Sequence, residues 1–238
     1  LMPPARFLPE SGGSGVAAIE YLLVDTGLLP REVERQVRVG DLVSFANQPL
    51  ELAGGVISGH TVDNRASIAA LTICLEELRN KMHIWDVWAV ATVQEEINFL
   101  GAYSSAFALR PQVAIVIDGG FASGPGANGW QAFPMGKGVG LCIGPNMHPF
   151  LHTKLKEVAD RFEIPWYLDV TPADSGTDAF AVQVTAEGIP TALVELPIRY
   201  MHTTVESVAV KDIERAGHLL AEFVASLEVN FVDTIVWE

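Results

Sequence analysis

The amino-acid sequence predicts an α/β protein built on a mostly parallel sheet with helices on both faces. Two observations carry this. From residue 59 onward, long helical patterns interleave with short apolar runs of strand length, which is the signature of strand–helix–strand units. Those apolar runs read as continuous rather than alternating, as strands covered on both faces do.

The elements follow in order. Residues 2–15, MPPARFLPESGGSG, read as a loop. Residues 16–58 then carry the strand-like pieces YLLVD, VRVGDLVSF and GGVIS around a short helical PREVERQV, with Gly and Pro as punctuation. Residues 1–58 are therefore expected to form a small β-rich unit, and 59–238 a larger domain. In the larger domain ASIAALTICLEELRN has helical spacing, DVWAVATV and QVAIVID read as buried strands, and VGLCIG as another. PFLHTKLKEVADRFEI is an amphipathic helix, TDAFAVQVTAEG a helix ending at Gly188, TALVEL a strand, and VKDIERAGHLLAEFVASLE a long final helix.

Composition narrows the function. With 49% hydrophobic and 18% charged residues the chain is of ordinary globular type. A net charge of -14 with 15 scattered Lys and Arg argues against nucleic acid, which needs a clustered basic surface. No apolar run approaches the ~20 residues that span a bilayer, so no membrane association is expected. No basic stretch followed by an apolar one is visible near Leu1, and Cys74 and Cys142 lack metal-type spacing. Both cysteines are expected as small core residues in a reducing cytoplasm.

The sharpest feature is VQEEINFLGA, where an apolar run ends in two adjacent carboxylates, Glu95 and Glu96. Burying one unpaired carboxylate is costly, and a second beside it raises a pKa by like-charge repulsion. Ligands in open α/β sheets collect at the carboxyl ends of strands. Glu95 and Glu96 follow one strand pattern, Asp118 closes another, His202 follows TALVELP, and Asp63 opens the first long helix. A lone Asp at such a place is usually a turn or helix cap. Convergence of carboxylates with an imidazole is instead what a divalent cation takes, and a cation would neutralise the adjacent acids. Successive strand residues point to opposite faces, so Glu95 and Glu96 share a site only if the backbone leaves strand geometry there. One would then bind metal while the other moves a proton. His148 and His152 have the i, i+4 spacing of a metal pair but lack the zincin Glu, and read as cap or surface. His60 is a neighbour of the site at most, His83 and His218 read as surface, and the glycine-rich 119–130 stretch as a loop beside Asp118.

TVDNR at 61–65, VQEE at 93–96, IDGG at 117–120, GTDA at 176–179 and RYMH at 199–202 come in an order and spacing that resembles the tetrahedral aminopeptidases. These dinuclear metallopeptidases include glutamyl and deblocking aminopeptidases. The resemblance runs from about residue 20 to 225 and implies a three-layer α/β/α catalytic domain with an inserted β-rich dimerisation domain, represented by residues 1–58. It implies that Asp63 bridges two divalent metals, zinc or cobalt, that Glu96 and His202 complete the first site, that Asp118 serves the second, and that Glu95 is the general base. Peptide substrates and self-assembly from dimers toward dodecamers are implied as well. Two departures stand out. INFLGA carries Asn98 and Leu100 where the family has Gly and a basic residue. The family's second-metal histidine lies in a segment ahead of the inserted domain, and no residue here matches it, so a longer chain and an incomplete second site are expected.

The function expected on these grounds is a cytoplasmic metal-dependent aminopeptidase. The alternatives are a related exopeptidase or amide deacylase with the same metals, a two-carboxylate glycosidase, and a catalytically degenerate assembly subunit of the same fold.

Overall fold

The computed structural model describes residues 19–236; the expected loop at 2–15 lies outside them. Contacts divide the chain into two compact units, residues 1–45 and residues 46–238.

In the smaller unit the described residues form a 3-10 turn, Ile19–Tyr21, and one helix, α1 (Pro30–Gln36). Pro30 sits at the first helical position, where its missing N–H costs nothing. Glu32 reaches back to accept from Leu29 N at 3.0 Å, one half of a capping box. The strands expected at YLLVD and VRVGDLVSF do not form among the described residues, and Val39, Leu42 and Val43 are exposed. These runs have β-type residues but no neighbouring strand to complete a ladder, and a strand without one is not stable by itself.

The larger unit begins ahead of the expected boundary at 58. It holds β1 (Leu50–Leu52), β2 (Val56–Gly59), α2 (Val62–Leu78), α3 (Leu100–Leu109), β3 (Ala114–Phe121), β4 (Val139–Ile143) and α4 (Pro149–Arg161). β5 (Trp166–Val170), α5 (Asp178–Gln183), β6 (Thr191–Arg199), β7 (Glu206–Ala209) and α6 (Val210–Ser226) follow. The seven strands make one sheet in the order β1-β2-β7-β6-β4-β5, with β3 also on β6. GGVIS thus supplies a strand, β2, that pairs with β7 of this sheet. Expected as mostly parallel, the sheet is mixed. β3/β6 and β4/β5 are parallel, whereas β4/β6, β6/β7, β2/β7 and β1/β2 are antiparallel. The short strands β1 and β7 carry too few residues for a periodic signal.

Both faces of the sheet are covered. Along β6, Ala192, Val194, Leu196 and Ile198 point into the main core with Ala66 and Ala70 of α2, Leu151 and Leu155 of α4, and Ile213, Leu219 and Phe223 of α6. Leu193 points the other way, toward Cys142 and Ala179, and Ala114 and Val116 of β3 meet Ala102 of α3 and Ala181 of α5. Alternate strand residues therefore serve opposite layers, as a pleated strand requires. Each fully buried Leu or Phe contributes roughly 1.5–3 kcal/mol. The two long helices approach closely because α6 carries Gly217, where a Cβ would fall 2.7 Å from Ala70 O.

DVWAVATV, expected as a buried strand, is not one. Trp88 and Val93 are exposed, and residues 87–92 have no strand assignment. Among the described residues β3 pairs with β6 alone, and a cavity of about 460 Å³ is lined by Trp88 and Val90 of this run and by Ile115 and Ile117 of β3. The run is apolar enough for a sheet, but no described strand lies next to it.

Candidate metal centre

The sheet topology brings the expected residues to one end of the larger unit. Asp63 lies in the first turn of α2, Glu95 and Glu96 begin the turn before α3, Asp118 lies on β3, and His202 follows β6. His202 Nε2 is 3.3 Å from Asp63 Oδ2 and 3.4 Å from Glu96 Oε1. Ligand atoms of these three residues all lie within 4.8 Å of one another. Asp118 stands outside that triplet, yet it lines the same cavity of about 480 Å³ as Asp63, Glu95, Glu96 and His202. His60 is not in the group; its Nδ1 lies 3.3 Å from Thr61 Oγ1.

The backbone does what the paired acids require. Gln94 takes a left-handed φ of 59°, and Glu95–Phe99 form a turn rather than a strand. Glu95 and Glu96 thereby come to the same site with different surroundings, Glu95 half-buried and Glu96 exposed. The turn is held from behind. Gly101 N donates to Val93 O at 2.9 Å, and a Cβ on Gly101 would fall 2.3 Å from that oxygen. Thr61 (φ 55°) and His202 (φ 62°) are also left-handed. Each such non-glycine residue costs of order 1–3 kcal/mol, and strain of this kind gathers at functional sites.

Electrostatics leave the acids short of positive charge. Burial, then Glu96 and Glu206, push Asp63 up to about 6. Burial, then Glu96, Asp178 and Asp63, push Glu95 up to about 7. Asp118 is raised well above the usual carboxylate range by burial, although Gly119 N donates to it. Asn64 Nδ2 also donates to Asp118 Oδ1 at 2.8 Å. The donor set of one imidazole nitrogen and clustered carboxylate oxygens is of the kind zinc and cobalt accept. It fits a divalent cation, and so does the unbalanced charge.

Two supporting residues were not among the expected site residues, and only Asp178 lies in a quoted motif. Glu206 accepts from the backbone N–H groups of both Asp63 and His202. Asp178, inside the GTDA motif, accepts from Thr92 Oγ1 at 2.6 Å, while its Oδ1 is buried without a hydrogen bond. The other histidines fall elsewhere. His148 caps α4 and accepts from Phe150 N, and His152 contacts Cys142 O at 3.1 Å from a buried rather than a surface position. A second His-carboxylate group, Glu77, His218 and Glu222, already holds a cation, because Lys81 Nζ donates to Glu222 at 2.6 Å. Cys74 and Cys142 are free and buried, as expected.

The sequence profile of the M42 glutamyl aminopeptidases matches residues 2–219. The chain belongs to that family. It is 32% identical over 230 residues to a lysyl aminopeptidase of Pyrococcus furiosus, the match covering 96% of this chain and 66% of that one. Among solved structures, an aminopeptidase of the archaeon Desulfurococcus kamchatkensis superposes with a TM-score of 0.84 at 30% identity, over 98% of this chain and 66% of its own. PhTET1, solved as a dodecamer, superposes with a TM-score of 0.65 at 26% identity, over 76% of this chain and 54% of its own. The chain thus spans about two thirds or less of the length of these proteins, and it shares the α/β architecture of the two solved structures.

Proposed function

We propose that this chain carries the principal metal site of an aminopeptidase that removes N-terminal residues from peptides. The observation that carries the reading is the meeting of Asp63, Glu96 and His202 with Glu95 one residue from a ligand. Membership of the M42 family and the names of the relatives support it.

Asp63, Glu96 and His202 would hold one divalent ion, zinc or cobalt, with Asp118 serving a second that shares Asp63. Such an ion supplies Lewis acidity toward a scissile carbonyl and acidifies water. Glu95 accepts a proton from the attacking water and returns it to the leaving amine. Burial and the nearby Asp178 carboxylate raise its proton affinity, the direction a proton acceptor needs. Asp178 and Thr92 lie beside it, and the like charge of Asp178 helps set that affinity.

Residues 1–58 act in self-association in this reading. Leu22, Leu23, Val24, Val39, Leu42 and Val43 are exposed, and apolar surface of this extent fits coverage by a second copy. The dodecameric relative makes larger assembly from dimers the natural extension. The two reduced cysteines suit a cytoplasmic setting, and among the described residues no helix is long and apolar enough to cross a membrane.

Activity on aminoacyl p-nitroanilides, low in this chain because the second site lacks a nitrogen ligand, but abolished by a chelator and restored by zinc or cobalt, is the expected result. Hydrolysis of N-acyl amino acids instead would make the protein a deacylase on the same metals. Binding of metal without either activity would make it a degenerate subunit.

A further inference from the structure

Glu206 sits at the start of β7, opposite Gly59 of β2, and only 2% of its surface is exposed. Its two carboxylate oxygens are used separately. Oε2 accepts from Asp63 N at 3.0 Å and Oε1 from His202 N at 2.7 Å. These N–H groups belong to segments far apart in sequence, and both need a partner. Asp63 N is in the first turn of α2, where no carbonyl of the helix reaches it. His202 N is in a turn whose left-handed φ is unfavourable for a histidine.

We propose that Glu206 is a positioning residue that fixes the spacing of Asp63 and His202 and thereby sets the affinity of the site for a divalent cation. The inference rests on the metal-centre reading above. A carboxylate suits this geometry, since it offers each of the two N–H donors its own acceptor oxygen on one rigid group. Glu206 stays out of the ligand triplet itself. It acts through the backbone of two ligands, as outer-shell groups of metal sites do.

Glu206→Gln keeps shape and burial but turns one acceptor into a donor facing a donor. Zinc affinity is measured by competition with a chromophoric chelator, and thermal melts are recorded on the metal-free proteins. The variant is expected to bind zinc roughly 10–100-fold more weakly, the usual cost of losing an outer-shell partner. A merely structural Glu206 would lower the metal-free melting temperature and leave zinc affinity of the folded protein unchanged, which overturns the proposal. A wild-type measurement covers a variant that does not fold. Zinc should slow hydrogen exchange at the Asp63 and His202 amides together, and zinc-independent exchange at both would overturn the coupling. Wild-type protein that takes up no zinc overturns both this inference and the metal-centre reading. Wild-type uptake with equal affinity in the variant overturns this inference alone.

Discussion

The imidazole of His202 lies between two carboxylates, its Nε2 3.3 Å from Asp63 Oδ2 and 3.4 Å from Glu96 Oε1. These contacts join the first turn of α2, the turn before α3 and the loop after β6. Packing of the sheet edge against α2 is therefore what creates the ligand set, and no local segment contains it.

The adjacent acids should separate when mutated. Glu95→Gln removes a proton acceptor but no ligand, so metal content stays near the wild-type level while turnover falls by ~10²–10⁴, the usual contribution of a general base. Glu96→Gln removes a ligand and should release metal as well. Atomic absorption on both variants after dialysis, beside their rates on a p-nitroanilide, decides the matter. Equal metal loss in the two would refute the division of roles.

A buried acid outside the ligand set makes a pH prediction. Glu195 on β6 is raised well above its usual 4.5 by burial and by the neighbouring Asp169 carboxyl. The folded state thus keeps a proton that the unfolded chain releases once pH exceeds about 4.5. Stability from this group is full below that value and declines as pH rises, by about 1.4 kcal/mol per unit until the folded state also ionises. Glu195→Gln removes the titration, so its melting temperature should gain on wild type between about pH 5 and pH 8. Parallel melting curves across that range would show that Glu195 does not carry the proton.

How much of this was legible beforehand depended on the kind of signal. The helices α2, α4 and α6 and the strands β3, β4 and β6 follow directly from periodicity and apolar runs. Asp63, Glu95, Glu96, Asp118 and His202 stand out because several acids and a histidine converge on strand ends and a helix start, and because the motif order resembles a family. β5 was hidden behind Pro165 at the end of a helical pattern, and β7 was too short to read. DVWAVATV misled because β-propensity reports a surface that can pack, whereas a strand also needs a neighbour to bond with. Glu206 was invisible because its role lies in two backbone N–H groups, and sequence does not display those.

The turn that carries the two acids should depend on Gly101. Any side chain there meets the backbone of Val93, N as well as O, and backbone yields less readily than a side chain. Gly101→Ala is expected to cost about 1–3 kcal/mol in stability, the usual range for overpacking, and to lower zinc affinity by shifting Glu96. Denaturant unfolding and chelator competition test this together. Wild-type values in both would show that the Val93–Gly101 approach is not close in solution.

The number of ions held is the last expectation. Asp63, Glu96 and His202 offer three protein ligands and leave a position for water, the pattern of a catalytic zinc site. Asp118 shares the cavity, but the second position would have only Asp63 and Asp118, with no nitrogen donor. His60 is not grouped with them. Two carboxylates with water in the remaining places hold zinc or cobalt weakly, because these metals gain most from nitrogen and sulfur donors. This 238-residue chain should therefore retain one ion after exhaustive dialysis, and His202→Ala should abolish that retention. Its activity should be low until a further nitrogen ligand is supplied. Metal analysis that finds two tightly held ions per chain would mean that a residue outside this set, His60 first among them, turns toward Asp118 when metal is present.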